Sequence, residues 1–148
     1  MRNEYIDEMR STTEKYDIKK LQTPKEVDNV FLNQKGTMLV FVNSACGCAG
    51  RVARPALDIA LEHPRRPDAI ATIFASSDRE AAAQVRKYFT NQQPSSPSFA
   101  LMRDGEFLSL ISSSDIETST PSEVAQLLTE MFDKYCTAKS TGPNTRIL

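Results

Sequence analysis

Two cysteines separated by one glycine, Cys46-Gly47-Cys48, are the residues of this chain best suited to covalent chemistry. A thiolate is a strong nucleophile, and a second thiol within reach can displace whatever the first has captured. The order predicts attack by Cys46, on the exposed side of a turn, and resolution by Cys48, which enters a helix behind it. Gly47 suits the gap because a disulfide closed across one residue forms a tight ring, and glycine best tolerates the dihedrals required. Such a ring is expected to be strained and therefore readily reduced. Arg51 and Arg54 fall in the next turns, where guanidinium groups can stabilise a thiolate or hold an anionic thiol substrate; the plainer reading makes each a solvated surface residue.

A metal half-site is the rival for a Cys-x-Cys pair. Only His63 and Cys136 remain to complete the usual four ligands of zinc, so no metal site is expected. His63 lies about four turns down the helix, too far to serve Cys46 as a base. Cys136 is expected to be a partly buried, unreactive thiol. The polar, turn-forming context Asn43-Ser44-Ala45 argues against two inert buried cysteines at 46 and 48.

The elements that must position this pair can be read from periodicity. Asp17 to Leu21 reads as a short edge strand. Thr23-Pro24 opens a helix with Val27, Val30 and Phe31 on one face, closed by Gly36. Met38 to Val42 is an unbroken apolar run, as expected of a strand buried on both faces. The cysteine turn follows, then a helix from about Cys48 to His63 with Val52, Ala56, Ile59 and Ala60 inward and a kink at Pro55. Ala69 to Ala75 is a second buried strand, and Asp78 caps a helix to about Phe89 with Ala82, Val85 and Phe89 inward. Phe99 to Met102 and Glu106 to Ile111 form a hairpin about Arg103-Asp104-Gly105. Thr120 or Ser122 begins a last helix, with Val124, Leu127, Leu128 and Met131, ending near Cys136. This order is strand, helix, strand, helix, strand, helix, hairpin, helix. It predicts an α/β fold, thioredoxin-like, with a mixed central sheet flanked by helices on both faces. The cysteine turn then lies at the carboxyl end of a central strand, where such sheets place ligands.

The chain has 148 residues, 40% of them hydrophobic and 25% charged, which predicts a single domain over 1–148 with a core at about 17–136. A polar arm at 1–16 and a polar, disordered tail at 137–148 are expected to flank it. The net charge of -1 lacks the basic footprint of a protein that binds nucleic acid or an anionic membrane. No apolar run approaches the roughly 20 residues that span a bilayer. The charged N-terminus carries no signal-peptide core, so the cytoplasm is the expected location.

Several segments together carry a family resemblance. Val42-Asn43-Ser44-Ala45-Cys46-Gly47-Cys48-Ala49, Arg54-Pro55-Ala56, Pro94-Ser95-Ser96-Pro97-Ser98, Asp104-Gly105 and Phe132-Asp133-Lys134-Tyr135-Cys136 resemble the bacilliredoxins, over about Leu21 to Cys136. In thioredoxin-like proteins, the proline before the third strand has a cis peptide bond and faces the redox cysteines. The resemblance therefore implies a cis Ser96-Pro97 bond, with both residues shaping the substrate groove. It implies reduction of mixed disulfides between bacillithiol and other proteins by Cys46 and Cys48, with weak disulfide reductase or isomerase activity. The partners would be thiol-modified or disulfide-containing proteins and a low-molecular-weight thiol; no resident cofactor is expected, and bacillithiol would be a co-substrate. The family commonly carries Arg-His followed by Ile-Glu-Gly after the hairpin. This chain has Ser113-Ser114-Asp115-Ile116-Glu117-Thr118, so the basic pair is missing. The other functions compatible with an exposed cysteine pair are a thiol-based metal or iron–sulfur carrier and a non-catalytic redox interaction module.

Overall fold

The run Thr37–Asn43 forms the central strand, and every one of its residues is buried. A computed structural model describes residues 18–44, 49–75, 77–89 and 96–136; the expected arm, the tail and the cysteine turn itself lie outside these residues. In chain order the elements are β1 (Lys19–Lys20), α1 (Pro24–Asn33), β2 (Thr37–Asn43), a π-helical turn (Ala49–Ala53), α2 (Arg54–Ala60), β3 (Ala69–Phe74), α3 (Arg79–Arg86), β4 (Ser98–Arg103), β5 (Glu106–Ile111), α4 (Ser113–Glu117) and α5 (Pro121–Tyr135). The sheet has five strands in the order β1-β3-β2-β4-β5. β1, β3 and β2 run parallel, and β4 and β5 are antiparallel to their neighbours. This is the expected mixed sheet.

Alternation along β2 divides the core between the two faces. Leu39 and Phe41 pack with Phe99, α2 and α5, while Val40 and Val42 pack with Ala100, α1 and α3. The Phe41 and Phe99 rings stack across β2 and β4 at 4.6 Å between centroids. On the other face, Asp28 of α1 accepts hydrogen bonds from Tyr88 Oη at 2.6 Å and Gln84 Nε2 at 2.8 Å, tying α1 to α3. The Tyr88 hydroxyl, partly desolvated and donating to that carboxylate, has its pKa pushed up to about 12; the same bonds hold Asp28 below its usual range.

Local chemistry explains most boundaries. Thr23 Oγ1 accepts from the Glu26 N–H, and the Glu26 carboxylate accepts from the Thr23 N–H. The same reciprocal box starts α4 at Ser112 with Asp115, and α5 at Thr120 with Glu123. At the hairpin, Asp104 and Gly105 have φ of 51° and 85°. Both values lie in the left-handed region that a tight two-residue hairpin needs.

Some expectations are corrected. α1 ends at Asn33 with Gln34 as its cap; Gly36, at φ 84°, instead forms the turn into β2. The helix after the cysteine turn is not one α-helix to His63. It opens as the π-helical turn and becomes α-helical over Arg54–Ala60, with Pro55 at its start. Pro55 has no N–H to give the Arg51 carbonyl, so regular α bonding is lost there. Ala56 and Ala60 are buried as expected. Leu57, with Ala53, completes that buried face, and Ile59, expected inward, is 49% exposed. Asp78 stands at the N-cap of α3 but makes no capping bond. Leu127 is 37% exposed on α5. The short helix α4 was not expected. Among the described residues, no helix is long and apolar enough to cross a membrane.

Candidate functional site

Asn43 closes β2 and is fully buried, a polar residue ending an otherwise apolar strand. Its Oδ1 accepts from the Ser44 N–H at 2.9 Å, which bends the chain as it leaves the sheet. Its backbone carbonyl accepts from the Ala75 N–H at 2.9 Å, so the exits of β2 and β3 are bonded neighbours. By alternation from Leu39 and Phe41, the Asn43 side chain lies on the sheet face that carries α2.

β4 enters the same end of the sheet. Ser98 pairs with Val42, so Pro97 enters β4 beside the end of β2 where Asn43 lies. Pro97 is buried, Ser96 is half-buried, and the Ser96-Pro97 peptide bond is cis, as expected. Ser98 is fully buried, and its Oγ and the Asn43 Nδ2 are buried polar atoms with no hydrogen-bond partner among the described residues. Orphaned polar atoms in a core cost about 1–3 kcal/mol each; by alternation these two lie on opposite faces of the sheet at the same end.

The π-helical turn resumes the chain at Ala49, directly after Cys48 in sequence. Cys46, Gly47 and Cys48 lie outside the described residues, but the elements on both sides of them are in place. Of the two arginines, Arg51 is exposed and Arg54 is buried at 3% exposure. The solvated-surface reading therefore fits Arg51 and not Arg54, since a guanidinium is buried only when it is held by partners. α4, which contains Ser113 and Ser114, packs beside the π-helical turn.

Two other residues fall away from this end. His63 Nε2 and Asp133 Oδ1 are 2.8 Å apart, linking the connection after α2 to α5. Cys136 is buried at the end of α5, outside any disulfide among the described residues, and its carbonyl accepts from Arg65. Sequence reasoning gave no role to Asn43, although a lone amide ending a seven-residue buried run was the available signal. It also gave no role to Lys20 or Asp78, which line a cleft at the carboxyl ends of β1 and β3.

The fold defines a thioredoxin-fold protein. A thioredoxin of Fasciola hepatica aligns with a TM-score of 0.56 at 19% identity, covering 80% of this chain and 99% of its own. A thioredoxin of Trypanosoma brucei brucei gives 0.55 at 18% identity, over 78% of this chain and 91% of its own. The sequence matches the family described as Disulphide isomerase over residues 1–136. It is 43% identical over 134 residues to a bacilliredoxin of Geobacillus kaustophilus, covering 90% of this chain and 92% of that protein. It is 50% identical over 116 residues to a bacilliredoxin of Halalkalibacterium halodurans, covering 78% and 79%. The chain belongs to the bacilliredoxin family, and family and fold together support a thiol redox function.

Proposed function

We propose that this protein is a cytoplasmic thiol–disulfide oxidoreductase that reduces mixed disulfides on other proteins, with bacillithiol the low-molecular-weight thiol released. The observation that carries the reading is the bracket around the cysteine run. Asn43 ends the central strand three residues before Cys46, the helical segment starts one residue after Cys48, and Pro97 directly precedes Ser98, which pairs with Val42 next to Asn43. The names of the relatives support bacillithiol as co-substrate, and the family description supports a weak isomerase activity.

In the proposed reaction, the Cys46 thiolate attacks one sulfur of the mixed disulfide. A bond forms from Cys46 to that sulfur, and the other sulfur leaves with the bonding pair and takes a proton from water. Cys48, deprotonated to solvent, then attacks Cys46, closes the Cys46–Cys48 disulfide and expels the captured thiol. The substrate is reduced by two electrons and the cysteine pair is oxidised by two. Ser96 and Pro97 border the groove, and Arg51 and Arg54 supply positive charge on the cysteine side.

The test is trapping. Cys48→Ala is expected to accumulate covalent adducts with bacillithiol-modified protein, read by mass spectrometry, and Cys46→Ala to accumulate none. Adducts on the Cys46 variant with a free thiol on the Cys48 variant would reverse the assigned order. Adducts on neither would remove the redox reading.

A further inference from the structure

β2 is apolar from Met38 to Val42 and then buries an amide, Asn43, at 0% exposure. Only one half of that amide is satisfied. Its Oδ1 accepts from the Ser44 N–H at 2.9 Å, while its Nδ2 has no hydrogen-bond partner among the described residues. The bond made and the donor left open act on stability in opposite directions and with similar size. A leucine of similar shape would continue the apolar strand and leave no orphaned Nδ2. Stability of the sheet therefore does not by itself account for the asparagine. What an asparagine does here, and a leucine cannot, is hold the next backbone N–H.

That N–H stands where the chain leaves the sheet. It belongs to a buried residue, Ser44, at 8% exposure. On the other side, the Asn43 carbonyl accepts from the Ala75 N–H at 2.9 Å, which ties the exit of β2 to the exit of β3. The backbone is thus fixed on both sides of Asn43. The far end of the cysteine run is fixed as well, because Ala49 opens the π-helical turn, which packs against α4 and α5. Residues 45–48 join two anchored ends, and whatever path they take starts from the bend at Ser44.

We propose that Asn43 is a positioning residue for thiol–disulfide exchange: the hydrogen bond from the Ser44 N–H to its Oδ1 sets the direction in which the chain departs towards Cys46. The proposal rests on the redox reading above and adds to it a residue outside the cysteine run. Asn43 acts through the backbone and takes no part in the bond changes. The step it serves is capture: the Cys46 thiolate bonds one sulfur of the disulfide, the S–S bond breaks, and the departing thiolate takes its proton from water. The reduced cysteine pair is the reductant. Misplacing a reacting atom by about 1 Å can cost on the order of a hundredfold in rate, so a small change of direction upstream is measurable.

The test compares wild type with Asn43→Leu and Asn43→Ala, which remove the acceptor, and with Asn43→Asp, which keeps an oxygen in its place. Reduced, desalted protein is mixed with the neutral 2-hydroxyethyl disulfide. Capture is followed by stopped flow across pH, up to the plateau where the thiolate is fully formed, so that a shifted cysteine pKa does not enter the comparison. Urea midpoints of the same samples are read by far-UV circular dichroism. Asn43→Leu is expected to lower the plateau rate about tenfold with a midpoint near that of wild type, and Asn43→Asp to recover most of that loss. Asn43→Ala carries the same expectation for the rate, and decides the matter if the leucine variant does not fold. Plateau rates unchanged without the acceptor, or lowered equally in Asn43→Asp, would overturn the positioning role and leave the redox reading standing. A wild-type protein that does not reduce this disulfide would overturn the redox reading and the positioning role with it.

Discussion

Replacing Phe99 tests whether the stacked pair beneath the site holds β2 and β4 together. Phe99 and Phe41 are each 0% exposed, and their rings stack at 4.6 Å with a 16° interplanar angle. Phe99 directly follows Ser98 and pairs with Phe41, two residues before Asn43. Truncating a fully buried phenylalanine to alanine costs about 3–5 kcal/mol, from lost transfer energy and the cavity left behind. The ring pair adds about 0.5–1.5 kcal/mol beyond area, which a leucine at 99 forfeits while refilling most of the volume. Phe99→Ala is therefore expected to lose about 4 kcal/mol and Phe99→Leu about 1–2 kcal/mol. At about 2–4 °C per kcal/mol for a chain of this size, the alanine variant melts roughly 8–16 °C lower. The chain has no tryptophan, so the assay is urea unfolding followed by far-UV circular dichroism. The midpoint should fall with an unchanged slope. An alanine cost below about 2 kcal/mol, or equal costs for alanine and leucine, would show that neither volume nor ring pairing at 99 matters as argued.

Two further outcomes follow from the same geometry. Tyr88 has its pKa raised to about 12 from 10, so the folded state holds its proton more tightly than the unfolded chain. Its contribution is fully present below pH 10 and lost as pH rises towards 12; urea midpoints of Tyr88→Phe should depend less on pH across that window, and equal pH dependence in both proteins would contradict it. The double change Ser113→Arg, Ser114→His adds positive charge on α4 beside the π-helical turn, and is expected to lower the Cys46 pKa and speed attack on anionic mixed disulfides, with a gain that shrinks as salt rises; unchanged thiolate absorbance titration together with unchanged rates would show that these serines carry no weight in the chemistry.

The strands and helix starts were legible because they rest on local chemistry. Thr23-Pro24 with Glu26, Asp104-Gly105, and the apolar run at 38–42 each carry their own reason to form. Ser112 with Asp115 carries the same reciprocal cap, but α4 spans only five residues, too few for a periodic apolar face to show. The helix after the cysteines was misread where local periodicity failed. Ala56 and Ala60 are compatible with either neighbour on the buried face, and the structure buries Leu57 and exposes Ile59. The cis bond at Pro97 was legible only through resemblance, since spacing alone does not distinguish it from an ordinary proline. The cleft was not legible at all, because it arises from where β1 stops relative to β3, a property of two strands and not of either sequence.

The same short strand also bears on how the molecule behaves among copies of itself. A sheet edge with free backbone groups is a template on which another chain can add a strand. On the β1 side that template is two residues long, and both are exposed lysines that repel a like-charged newcomer. The opposite edge, β5, is six residues long, and its pairing with β4 is broken by a register shift at Leu101 and Met102, which twists a flat ladder out of line. Among the described residues, the sheet thus offers neighbouring chains one edge too short to copy and one too irregular.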